Sequence, residues 1–154
     1  MLYEGYGPGG VAILAEALTD NRNRTAGEVR MIFDKHNGAL AGTNAVARMF
    51  LKQGVINIEK AKVDEDKLME LALEAGAEDI VTSEEGYEVT TSFQAFEKVR
   101  QTLLAAKIEL AHAEAMMIPT QTVSVTGEIA EKIQKIVEGL EANDDVQEVY
   151  TNAE

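Results

Sequence analysis

Apolar residues recur along this chain with two periods, and each switch between them marks an element. Val11 to Leu18 is a short apolar run with β-branched members behind a glycine-rich stretch, which predicts a strand. Thr25-Ala-Gly-Glu28 matches a capping box, and Val29, Ile32, Phe33 and His36 follow at helical spacing until Asn37-Gly38 stops them. Ala45 to Phe50 reads as a second strand. Between Gly54 and Met117 the pattern is self-contained: strand Val55 to Glu59, helix Asp64 to Ala75, strands Asp79 to Thr82 and Tyr87 to Thr91, helix Phe93 to Ala106, and strand Ile108 to Met117. After it come strand Gln121 to Val125, helix Gly127 to Glu141 and strand Val146 to Thr151.

Strand, helix, strand, strand, helix, strand is the βαββαβ order of a four-stranded sheet with helices on one face. The segments outside 54–118 repeat that order when joined. The expected fold class is α+β, with two ferredoxin-like βαββαβ domains, one inserted into the other. Residues 1–53 and 119–154 make the discontinuous domain and residues 54–118 the insert. Met116-Met-Ile-Pro119 is the join, with Pro119 restricting the backbone where the chain leaves the insert.

Composition narrows the classes. At 154 residues, with 45% hydrophobic and 27% charged residues, the chain can bury a core. No apolar run approaches the roughly 18 residues of a membrane span, so no membrane role is expected. The absence of cysteine excludes disulfides and thiolate metal sites and fits a reducing, cytoplasmic setting. His36 and His112 have no His or Cys at ligand spacing, and Asp64-Glu-Asp66 lacks the glycine and closing glutamate of a calcium loop. Gly5 to Gly10 precedes a strand rather than joining a strand to a helix, which argues against a phosphate-cradling nucleotide loop. No metal or cofactor is expected; none of the 27 acids sits in an apolar stretch that would raise its pKa for catalysis, so a non-enzyme is expected, with a small enzyme on a ferredoxin-like fold as the least favoured alternative.

The net charge of −13 disfavours nonspecific nucleic-acid binding by the chain as a whole. The charges are unevenly spread along the sequence, however. Residues 1–60 carry a net +1 and residues 61–154 a net −14. In the first stretch, Thr19-Asp-Asn-Arg-Asn-Arg-Thr25 crowds two arginines and two amides before a helix start, where the helix dipole favours acids. One reading is a phosphate or carboxylate site built from Asn21, Arg22, Asn23, Arg24 and free helix N–H groups. The other is ion pairing of Arg22 and Arg24 with Asp20 and Glu28. Lys35, Arg48 and Lys52 would extend the patch if they shared its face.

Tyr3-Glu-Gly-Tyr-Gly-Pro-Gly-Gly-Val11, Ala17-Leu-Thr-Asp-Asn-Arg-Asn-Arg-Thr25, Met116-Met-Ile-Pro119 and Asp145-Val-Gln-Glu-Val-Tyr-Thr-Asn-Ala153 strongly resemble the YebC/PmpR family. The resemblance runs from Tyr3 to the end and implies a bacterial regulator of gene expression, of DNA-binding transcriptional type. Family members linked to translation imply the alternative, a ribosome-associated factor contacting rRNA. The family opens with a small basic helical domain bearing a Met-Ala-Gly-His-Ser-Lys-Trp signature, so this sequence looks like the second and third domains. It departs from the family at Gly42-Thr-Asn-Ala-Val-Ala-Arg48, where Arg48 replaces an aromatic ring. The resemblance carries Asn21, Arg22, Asn23 and Arg24 over as candidate nucleic-acid contacts, with Arg48 added from its charge. A monomer is expected, with nucleic acid as partner and a basic protein as a further partner for the acidic segments.

Overall fold

The computed structural model describes residues 1–154. In chain order it contains β1 (Leu2–Tyr6), β2 (Ala12–Ala17), α1 (Arg22–Lys35), β3 (Ala39–Leu40), β4 (Phe50–Glu59), α2 (Glu65–Ala75), β5 (Asp79–Thr82), β6 (Gly86–Ser92), α3 (Phe93–Ala105), β7 (His112–Pro119), α4 (Gly127–Glu141) and β8 (Val146–Thr151). These elements form two compact units, residues 1–51 with 118–154 and residues 52–117. The chain is α+β, and each of its two sheets has four strands.

The second unit has sheet order β5-β6-β4-β7, so the first and third strands of its βαββαβ run lie at the centre. Strand β6 pairs antiparallel with β4 over Gln53↔Ser92 to Glu59↔Gly86, and with β5 over Asp79↔Thr90 to Thr82↔Tyr87. The two-residue period sends Ile56 and Ile58 of β4, with Tyr87 and Val89 of β6, to one face. There they meet Leu68, Ala72, Val99 and Leu103 from α2 and α3 in a shared core. Each buried Ile, Leu or Val of this core contributes about 1.5–3 kcal/mol by leaving water. Gly76 ends α2 at φ 112°, a left-handed position that needs no Cβ, and its N–H donates to the Ala72 and Leu73 carbonyls. Ser92 caps α3 by accepting the Ala95 N–H at 3.2 Å.

The first unit reaches the same sheet by a different route through the chain. Its order is β3-β1-β2-β8, with every neighbouring pair antiparallel. Strand β1, from the glycine-rich start, fills the slot beside β2 that a βαββαβ chain would give to its third strand. Ala45 to Phe50, expected as a strand, is instead a turn followed by a 3-10 turn at Ala47–Met49. The physical cause is Glu4. Its carboxylate accepts the N–H groups of Asn44, Val46 and Ala47 at 2.8, 2.9 and 2.7 Å, so those donors are not available to a sheet. Gln121 to Val125 is also not a full strand. It makes a single parallel bridge, Val123 to Ala153, beyond the end of β8.

The helix-facing residues Tyr3 of β1 and Ile13, Ala15 and Ala17 of β2 pack with Val29 and Phe33 of α1 and Ile133, Ile136 and Leu140 of α4. Neighbouring residues point the other way. Glu4 bonds to Val46 and Ala47, and the Tyr6 hydroxyl donates to the Ala45 carbonyl at 3.2 Å, so segment 44–47 lies over the face opposite the helices.

Candidate nucleic-acid interface

Helix α1 begins one turn earlier than the capping box indicated. Its N-cap is Asn21, whose side chain accepts the Arg24 N–H at 3.1 Å, while the Thr19 hydroxyl accepts the Asn21 N–H at 3.0 Å. Arg22, Asn23 and Arg24 therefore form the first helical turn rather than a loop. Thr25, read from sequence as the cap, is buried inside that turn. Its hydroxyl bridges the Thr19 hydroxyl at 2.8 Å and Asp145 Oδ2 at 2.7 Å. Glu28 does not reach back to the cap; it accepts the Asn143 side-chain N–H at 2.7 Å.

The two arginines have different surroundings. Arg24 Nη2 lies 3.0 Å from Asp145 Oδ2 and 3.5 Å from Asp20 Oδ1. The hydrogen bond to Asp145, and then its charge, hold the guanidinium above its usual range. The Thr25 hydroxyl, and then Arg24, hold the Asp145 carboxyl below its usual range. Arg24 is thus satisfied within the fold, through a residue 121 positions away that no local pattern indicates. Arg22 is exposed, and its guanidinium has no carboxylate within pairing distance; only its carbonyl is used, accepting the Tyr3 hydroxyl at 3.4 Å. Asn23 is exposed beside it. The N–H groups at these first two helical positions have no intrahelical acceptor.

Sequence reasoning passed over Arg30. It is exposed, unpaired and seven residues beyond Asn23, so both lie on one flank of α1. That i, i+7 spacing was visible once the helix start was placed correctly. Arg48 is not part of this cluster. It follows Ala47, which Glu4 holds on the sheet face opposite α1, whereas the Tyr3 hydroxyl reaches the Arg22 carbonyl on the helix face. Lys35 is exposed at the last turn of α1, and Lys52 lies in the second unit, 4.5 Å over the Phe93 ring.

Folding also redistributes the charge. The acids of α4 and β8 join the first unit, giving it seven cations against thirteen acids, while the second has seven against fourteen. Both units are net negative, and Asp144 and Asp145 line the same hollow as Arg24 and Glu28. No group of three His, Cys, Asp or Glu side chains is placed to hold a metal, and no helix is long and apolar enough to cross a membrane.

Two four-stranded antiparallel sheets, each with two helices, define a mixed α+β class. The chain belongs to the TACO1/YebC family: the family model described as "TACO1/YebC second and third domain" matches residues 1–153. The "Probable transcriptional regulatory protein STH1004" of Symbiobacterium thermophilum is 51% identical over 156 residues, which cover 100% of this chain and 64% of that protein. A "Probable transcriptional regulatory protein" of Pelotomaculum thermopropionicum shows the same identity of 51% and the same coverage, 100% and 64%. The crystal structure of the conserved hypothetical protein Aq1575 from Aquifex aeolicus superposes with a TM-score of 0.84 at 39% identity, covering 100% of this chain and 64% of that one. The chain spans 64% of the length of these relatives.

Proposed function

We propose that this chain serves a regulator of gene expression and contributes an auxiliary phosphate contact at the start of α1, made by Arg22, Asn23 and Arg30 on duplex DNA. The observation that carries the reading is the unpaired Arg22 guanidinium beside two helix-start N–H groups, in an exposed turn of a chain whose relatives are named transcriptional regulatory proteins. Asn21 and Arg24 have a supporting role, because both are bonded inside the fold. The rest of the affinity is assigned to the part of the relatives that this chain does not span.

The test is binding of the chain to duplex DNA across a salt series. Arg22→Ala and Arg30→Ala should each lower the slope of log K against log salt by about 1 if each removes one phosphate contact. Unchanged slopes in both variants would defeat the reading. Asp145→Asn should act in the opposite direction. It releases Arg24 from its carboxylate, and the slope should rise by about 1 as a further cation reaches phosphate.

A second reading, rRNA contact on the ribosome, draws on the net negative charge of both units. An acidic body is repelled by bare duplex but is tolerated where RNA alternates with basic protein. Ribosome co-sedimentation at physiological salt, lost in Arg22→Ala while duplex binding is absent in the unsubstituted chain, would favour this second partner.

A further inference from the structure

We propose that the solvent face of α2, in the second unit, is a docking surface for a basic amphipathic helix of a protein partner. Helix α2 buries Leu68, Ala72 and Ala75 against its own sheet. Away from that stripe it exposes two large apolar side chains, Met69 at 38% and Leu73 at 49%. Four residues apart, they stack on a second stripe. A helix in a small unit ordinarily carries one apolar stripe, with polar residues on the remainder.

The borders of this second stripe are acidic. Glu65 and Asp66 lie one turn before Met69, and Glu70 lies one turn before Leu73. All three are exposed and none has a cation within pairing distance; Glu65 accepts only the Thr82 hydroxyl, at 3.2 Å. The single cation of the helix, Lys67, is rotated more than about 100° from both apolar residues. The field is felt nearby. Burial first, and then the Glu65 and Asp64 charges, push the Tyr87 phenol up from its ordinary value.

Apolar contact area with acidic borders complements a helix bearing aliphatic residues at i and i+4 and Lys or Arg beside them. Nucleic acid does not fit, because its phosphates would face Glu65, Asp66 and Glu70. A second copy does not fit either: it would bring a chain of net charge −13 against these same acids.

The experiment titrates the full chain with two synthetic peptides of about 18 residues. Both carry the same lysines, one with leucines at i and i+4 and the other with serines there. The leucine peptide should bind at least about tenfold more tightly at physiological salt. Met69→Ala combined with Leu73→Ala should abolish that difference, while leaving the serine peptide's weak binding in place. Both positions are exposed and alanine favours helix, so circular dichroism of the double variant should match the parent. In backbone amide spectra the largest shifts on binding should fall on α2. The proposal is overturned if the two peptides bind equally, if the double variant keeps the difference, or if the shifts centre elsewhere. It is also overturned if sedimentation shows a dimer of the chain that the double variant dissociates.

Discussion

Glu4→Ala should destabilise the first unit by about 2–4 kcal/mol, because it leaves three backbone donors without their acceptor. The Val46 N–H is buried and has nowhere else to go, whereas Asn44 and Ala47 can be partly rehydrated. Calorimetry should show the transition of the first unit falling by roughly 10–30 °C while the other unit's changes little. The effect depends on pH in a definite sense. Burial pushes the Glu4 carboxyl up, but the three N–H donors outweigh it and hold the group below the usual carboxylate range. Its stabilisation is therefore complete at neutral pH. It fades as pH falls below the unfolded value of about 4.3 and through the lower folded value. Urea titrations at pH 7 and pH 3 should show the parent losing more stability than Glu4→Gln. An equal loss in both would remove Glu4 as the anchor of segment 44–47.

This buried carboxylate also accounts for where the sequence misled. Ala45 to Phe50 has the composition of a strand because Val46 and Phe50 are buried, and periodicity registers burial without registering what the backbone is bonded to. The donors that would have built a ladder are taken by a side chain 40 residues earlier. In the second unit, by contrast, the type and order of β4, α2, β5, β6, α3 and β7 were readable from pattern, since the backbone groups of β4, β5 and β6 pair with one another in the sheet rather than with a side chain, although β4 begins at Phe50 and β7 at His112 rather than at Val55 and Ile108. Gln121 to Val125 failed for a third reason. It lies beside the last residues of the chain rather than within the sheet, and one parallel bridge satisfies it.

The candidate site was legible to a similar degree. The crowding of Arg22 and Arg24 at a helix start is local, and sequence exposed it. The fate of each arginine is not local. Asp145 arrives from the turn between α4 and β8 and takes Arg24, while Arg22, two residues away, keeps a free guanidinium. The apparent segregation of charge into a neutral first stretch and an acidic remainder disappears for the same reason, because α4 and β8 fold back beside β2 and α1. Charge counted along a chain predicts a surface field only when the segments counted stay together in space.

Phe33→Ala should cost about 3–5 kcal/mol, the range for emptying a fully buried aromatic position. The ring has no exposed surface, and it packs directly on the backbone of Gly5 in β1 and near Gly38 after α1. A Cβ at Gly5 would lie 2.6 Å from Phe33 Cε1 and 2.9 Å from the Ala39 carbonyl oxygen. Gly5→Ala should then cost about 1–3 kcal/mol, because neither the packed ring nor the backbone of β3 can yield cheaply. The two costs should not add. With the ring gone, only the Ala39 contact opposes the new methyl, and that methyl fills part of the void, so the double variant should fall short of the sum by about 1–2 kcal/mol. Denaturant midpoints of the four proteins give the coupling. Additive costs would mean that β1 carries Gly5 for some reason other than the approach of Phe33. A shortfall of that size would tie Gly5 to Phe33: the side chain that β1 lacks at this position is supplied from α1, by the aromatic ring that covers it.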